Sequence, residues 1–327
     1  VSTVQNDPTA AVEQAIDVDS PKIIGRTPWQ LFWRRFKKDR FAFVGLGVIL
    51  ALIVLGLAAP LFAKITGHDP AEQFSTQMTN DFGLPLGPNK DFWFGADGRL
   101  GRDLFVRIIY GIRTTLTVAL LATGISVAIG VALGILAGYF KGWVDTLISR
   151  IIDIILSMPI LLFAIGIVAA CSTTKEGCLG GLLKPGLPVV IAVIAFFSWP
   201  YIARIVRGST LSIREKEFIE ASRSLGATNR RIMFKEILPN LLAPILVYST
   251  LIIPANILFE AYLSFLGLGL PSRIPSWGRM LSDAAQFYDV AWWVMVYPGV
   301  FLFLTTLAFN LLGDGLRDAL DPRTGRG

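Results

Sequence analysis

Asp153 and Glu260 stand inside long apolar runs, where a charge is expensive. A charged side chain at the centre of a membrane span costs about 2.5–3.5 kcal/mol on insertion scales, so each is a candidate functional residue. Asp153 lies near one end of its run with Arg150 one helical turn back, a spacing that suits an i,i+3 ion pair. Glu260 lies near the opposite end of its own run, within reach of water, and reads as a pathway wall or outer gate. Cys171 and Cys178 flank the six residues STTKEG. They are either a disulfide formed in an oxidising compartment or two free thiols. The only histidine, His68, is distant from both, so no metal site is expected. The chain has no GxxxxGK[ST], HExxH, GxSxG or GxGxxG arrangement, so no catalytic residue and no cofactor of its own are expected.

The stretch EFIEASRSLGATNRRIMFKEILPN, residues 217–240, carries seven charged side chains between two apolar runs. Buried in lipid, those charges would cost roughly 20 kcal/mol, so the stretch must sit in water or on a protein. Phe218, Ala221, Ser222 and Leu225 share one helical face, with Glu217, Glu220 and Arg223 off it. Gly226 supplies the left-handed residue that ends this helix, and Thr228 caps a second one running towards Pro239. The pattern predicts a helix–Gly–helix knob suited to a cleft on a partner protein.

The elements that must position these groups follow from composition. The chain has 327 residues, 53% hydrophobic and 17% charged, with a mean hydropathy of +0.59. Soluble domains carry about 25% charged residues. Six runs are long enough to cross a bilayer, at about 41–63, 116–138, 151–170, 188–206, 241–263 and 291–312. None alternates with period two, so the reading is an all-α integral membrane protein. Gly130, Gly134 and Gly138 form a smooth strip on the second span, which suits close packing of a neighbouring helix.

Twenty of the 30 basic residues fall on the side that holds both termini and the polar stretch. That side is expected to be cytoplasmic. The net charge of +6 reflects this bias and calls for no nucleic acid. Residues 1–27 read as a disordered cytoplasmic terminus. Residues 28–40 read as an interfacial amphipathic helix, with Trp29, Phe32, Trp33 and Phe36 on one face. An uncleaved first span at 41–63 follows, then an extracytoplasmic segment at 64–115 with a short helix feeding the second span. A core at 116–312 contains the loop 207–240, and 313–327 form a cytoplasmic tail.

Glu220-Ala221-Ser222, then Gly226, then Leu238-Pro239 resembles the EAA motif of ABC importer permeases. Ser222 replaces the usual Ala, and Glu236 stands where Ile is usual. The stretches FGADGRLGRDLFVRIIYGIRTTL, WPYIARIVRG, EAYLSFLGLGLPSRIPSWGRML and NLLGDGLRDALDPR are similar to the C-type permease of dipeptide, oligopeptide and nickel importers. The likeness covers about residues 28–323. Arg99-Leu100 ahead of Gly101, and the Cys171–Cys178 loop, look like local elaborations.

The resemblance implies a type I ABC importer permease fold in the plasma (inner) membrane. It implies a second homologous permease, two cytoplasmic ATPase subunits that bind ATP and Mg, and an extracytoplasmic binding protein. Phe218, Glu220, Ala221, Ser222, Leu225 and Gly226 would then form the coupling helix, seated on an ATPase. The expected cargo is a dipeptide or oligopeptide, with nickel or another small solute as the alternative. Two readings of other classes remain: an ATP-independent channel or secondary transporter, and a membrane scaffold. A self-sufficient transporter keeps its flux without an ATPase, and a scaffold carries none.

Overall fold

The computed structural model describes residues 28–320, and the terminal stretches expected to be disordered or tail-like at 1–27 and 321–327 lie outside them. Among the described residues the regular elements are helices, joined by irregular segments with isolated β-bridges. The elements are α1 Pro28–Phe36, α2 Arg40–Leu57, α3 Ala59–Thr66, α4 Ser75–Met78, α5 Leu104–Phe140, α6 Gly142–Ser157, α7 Ile160–Ser172 and α8 Leu187–Arg214. They continue as α9 Glu217–Ser224, α10 Asn229–Phe265, α11 Trp277–Ala284 and α12 Trp293–Leu320. Helices α2, α5, α8, α10 and α12 are each long and apolar enough to cross a membrane, and α6 and α7 reach that length and hydropathy only when taken together as a bent pair.

Three boundaries differ from the sequence reading. The short feeder helix and the second span are one 37-residue helix, α5, capped by Asp103, whose carboxylate accepts from the Val106 N–H at 3.2 Å. The polar trio at 113–115 does not break it, because Thr115 is buried in the bundle and Arg113 reaches back over the Tyr110 ring. The third span bends by 87° at Met158-Pro159, since a proline here ends one helix and opens the next. Helix α12 continues through the residues read as tail as far as Leu320.

Helices α5 and α8 form the central pair, and the glycine strip explains their approach. A Cβ on Gly130 would lie 2.7 Å from Ile202 Cβ, on Gly134 2.7 Å from the Ala203 carbonyl, and on Gly138 2.6 Å from Thr210 Cβ. Only a bare backbone fits, as in small-residue helix crossings in lipid. The strip is therefore a packing seam. Around it, Trp277 fills a second core, fully buried, with its indole N–H donating to the Ile108 carbonyl at 3.2 Å. Helix α1 buries Phe32 and Phe36 against Ala319 of α12 and Ala42 of α2. Its Trp33 stays 45% exposed, whereas the Trp29 side chain lies outside the described residues. Helix α1 is thus pinned to the last helix while Trp33 stays on its open side.

Candidate functional site

The polar elbow between α8 and α10 is two helices broken by one turn. Glu217 and Glu220 occupy the first turn of α9, where negative charge suits the exposed N–H groups. The helix ends in a Schellman arrangement: Gly226 N–H donates to Arg223 O at 2.9 Å and Ala227 N–H to Ser222 O at 3.0 Å. Gly226 has φ +80, and a Cβ there would meet nothing within 4 Å. Backbone conformation, not crowding, calls for glycine. Thr228 Oγ1 accepts from the Arg231 N–H at 3.4 Å to open α10. The next residues, Ile232–Ile237, are π-helical, a widening that often marks functional stretches.

One face of the elbow is fastened to the bundle. Ile219 is fully buried with Ile135, Tyr139, Ile202, Ile232 and Ile237. The Tyr139 hydroxyl, at the end of α5, donates to Asn229 Oδ1 at 2.7 Å. The guanidinium groups of Arg223 and Arg214 lie 5.4 and 5.9 Å from the centre of the same ring. Lys141 pairs with Glu215 at 2.7 Å, and its hydrogen bond holds that carboxyl below its ordinary range. The other face is open. Phe218 is 42% and Leu225 89% exposed, and Glu220, Ala221 and Gly226 are exposed beside them, with Ser222 half-buried. The structure thus gathers the six motif residues into one tip. Ile219 and Tyr139, which set that tip on its base, carry no signal in the motif.

From the elbow, α8 and α10 rise side by side and enclose a groove of about 400 Å³, lined by Phe197, Tyr201, Tyr248, Phe259 and Tyr262 among others. Its back wall holds a hydrogen-bonded chain: Ser198 Oγ donates to Asn256 Oδ1, and Asn256 Nδ2 donates to Thr123 Oγ1, each at 2.8 Å. These contacts satisfy a buried amide that would otherwise be costly in lipid.

Glu260 is not a wall of this groove or a gate open to water. It has no exposed surface, and its Oε1 accepts from Ser264 Oγ at 2.6 Å and Ser276 Oγ at 3.0 Å. Its position near a helix end suggested solvent, but the segment after α10 folds back and lays α11 over it. The approach is close: a Cβ on Gly278 would lie 2.5 Å from the Ala261 carbonyl. Glu260 pins α10 to the start of α11. Asp153 pairs with Arg204 of α8 at 2.8 Å rather than with Arg150, because the cross-helix neighbour presents a guanidinium at its level. Two turns earlier on α6, Asp145 accepts from Ser149 Oγ at 3.2 Å and from Nη2 of Arg207 on α8 at 2.8 Å. Cys171 and Cys178 are joined by a disulfide, S–S 2.09 Å.

Comparison with known proteins agrees with this geometry. Residues 130–326 match the model of the binding-protein-dependent transport system inner membrane component, and residues 27–85 match the N-terminal transmembrane domain of oligopeptide transport permease C. The dipeptide transport system permease protein DppC of Alkalihalophilus pseudofirmus is 43% identical over 297 residues, covering 91% of this chain and 90% of that protein. The glutathione transport system permease protein GsiD of Salmonella paratyphi A is 44% identical over 314 residues, 96% of each. An inward-facing structure of the MetNI methionine ABC transporter superposes with a TM-score of 0.53 at 22% identity, over 67% of this chain and 96% of that one. That likeness bears on fold alone, and it matches the bundle described above. By the family model and by these relatives, this chain belongs to the binding-protein-dependent transport system inner membrane components, the permeases of ABC importers.

Proposed function

We propose that this chain forms half of the solute path of an ATP-driven importer of dipeptides or oligopeptides. A second, homologous permease supplies the other half. The exposed tip of Phe218, Glu220, Ala221, Ser222, Leu225 and Gly226 seats in a groove of a cytoplasmic ATPase subunit. Two such subunits bind ATP and Mg²⁺ and hydrolyse the nucleotide, and an extracytoplasmic binding protein delivers the solute. Both termini face the cytoplasm.

The observation that carries this reading is the two-faced elbow. Leu225 offers an apolar side chain 89% exposed to solvent, while Ile219, six residues earlier, is fully buried in the bundle. A push on such a tip reaches α5 through Tyr139, and reaches α8 and α10 because they flank it. The α5–α8 seam then carries the displacement as a rigid pair, since packed helices with no room at their contact cannot deform gradually. The groove between α8 and α10 is the stretch of path wall that would open and close. Peptide cargo follows from the relatives' dipeptide and glutathione systems.

The test is ATP hydrolysis and uptake by the whole complex in liposomes, with di- and oligopeptides set against nickel. Peptides should raise hydrolysis and accumulate inside. Stimulation by nickel alone would overturn the cargo, and solute flux without ATPase subunits would overturn the mechanism.

A further inference from the structure

Far from the elbow, the segment ahead of α5 builds a second polar site. Asp97 Oδ2 lies 2.9 Å from Arg102 Nη2 and 2.7 Å from Arg107 Nε, the latter an ion pair outside hydrogen-bond alignment. Arg102 Nη1 donates to Ser272 O and Oγ, each at 3.0 Å, and its Nη2 lies 3.4 Å from Asp283. Arg107 is fully buried and donates to Pro70 O at 2.8 Å and Ser272 O at 3.2 Å. Arg279 Nε faces Asp283 at 3.2 Å. A tight turn carries Arg99-Leu100 above this cluster, closed by Gly101 N–H to Gly98 O at 3.0 Å, with Gly98 at φ +130 and Gly101 at φ +64. The Arg99 guanidinium lies 5.9 Å over the Phe287 ring and has no carboxylate partner among the described residues.

Arg99, Arg102, Arg279, Asp283 and Ser272 line a cleft of about 230 Å³. Arg102, Arg107 and Arg279 share Asp97 and Asp283, and Arg99 stands beside them without a carboxylate among the described residues, so the cluster holds two positive charges in excess. Leaving excess charge half-buried is costly, and an incoming anion relieves that cost. Arg102 and Arg107 are already fixed by Asp97 and Ser272, so an anion orders little on arrival. Exposed Arg99 supplies a planar fork matched to a carboxylate. Size decides between ligands. Small-molecule sites usually run to about 300–1,000 Å³, so this cleft takes a side chain rather than a whole peptide. Placement decides the partner. Arg107 is in the first turn of α5 and Tyr139 in its last, and a helix of 37 residues spans about 55 Å, more than the thickness of a bilayer. The cleft and the elbow therefore face opposite sides of the membrane.

We propose that this cleft receives an acidic side chain of the extracytoplasmic binding protein, with Arg99 as the contacting charge. This rests on the importer reading above. The test titrates binding protein against ATP hydrolysis by the reconstituted complex, for the parent, Arg99→Ala, Arg99→Glu and the control Lys90→Ala. Arg99 should act on encounter, as rim charges do. Half-saturation should rise about threefold for Arg99→Ala and about tenfold for Arg99→Glu, with maximal rate and solute-free hydrolysis unchanged and a shallower salt dependence. Lys90→Ala should match the parent. Reversing one acidic residue on the binding protein should restore Arg99→Glu. If half-saturation and salt dependence are unmoved by either Arg99 substitution, the cleft is structural and the proposal falls alone. If binding protein does not stimulate even the parent, both readings fall.

Discussion

The Tyr139 hydroxyl and the Asn229 side chain meet at 2.7 Å, which fastens the end of α5 to the first residue of α10. The contact joins the helix that crosses the whole bundle to the elbow that protrudes from it. Tyr139→Phe removes one hydrogen bond and keeps the ring under Arg223. It should cost about 1 kcal/mol of stability and lower solute moved per ATP more than it lowers ATP hydrolysis. Thermal melting in detergent and paired uptake and hydrolysis assays report the two effects. Equal losses of uptake and hydrolysis would deny the contact a part in transmission.

Gly226→Asp should leave the chain folded and inserted, because no atom lies within 4 Å of the new Cβ. It should abolish coupled uptake, since a side chain at φ +80 strains the turn by about 1 kcal/mol and projects from the exposed tip proposed to dock. Gly226→Asn, which tolerates that conformation, should retain more activity. Glu220→Lys should weaken ATPase copurification. Parental coupling in Gly226→Asp would contradict the docking role.

Gly134→Val should be far worse than Gly124→Ala. The first drives atoms into the Ala203 carbonyl and Val206 side chain, whereas a methyl at Gly124 meets nothing within 4 Å. Overpacking of this kind costs about 1–3 kcal/mol or more. The readout is the melting temperature and yield of purified complex, and similar values for both variants would refute the seam.

Glu260→Gln preserves an acceptor for Ser264 and Ser276, so uptake should stay within about twofold of the parent, as expected for an intact hydrogen-bonded pin. Glu260→Ala strands both hydroxyls and should cost about 2 kcal/mol or more. A gate would give the opposite order, with the amide abolishing transport in a protein of unchanged stability.

Acid should act on the Asp103 cap in a definite direction. Burial pushes its carboxyl above the ordinary 3.8, against the opposing hydrogen bonds from His68 and the Val106 N–H. The folded chain thus binds this proton more tightly than the unfolded one. Its contribution is fully present below pH 3.8 and is lost as pH rises through the folded value. Asp103→Asn, an equally good cap, should gain stability relative to the parent as pH rises from 4 to 7. Melting curves across that range check the sign.

The spans and the elbow were legible because their signals are local: apolar runs of fixed length, a charged interruption, Gly226 and Thr228 as stop and start. The glycine strip was legible for the same reason, since four-residue spacing alone marks a smooth helical face. What sequence could not supply was anything set by distant chain. Glu260 looked wet because its cover, α11, arrives from residues 277–284. Asp153 was matched to its neighbour in sequence when the nearer cation was Arg204 on another helix. Tyr139 and Ile219 lie outside the motif, and their role exists only where α5, α9 and α10 converge.

If the elbow tip is gripped by an ATPase on the cytoplasmic side, a thiol placed there should lie within reach of that subunit. Because Cys171 and Cys178 are bonded to each other, Leu225→Cys introduces a lone reactive thiol. In membrane vesicles of the assembled complex, a short bifunctional reagent should join this thiol to the ATPase subunit, and the joined complex should stop importing. Labelling of Leu225→Cys by an impermeant reagent from the extracytoplasmic side, or full uptake by complexes lacking the ATPase, would contradict the account.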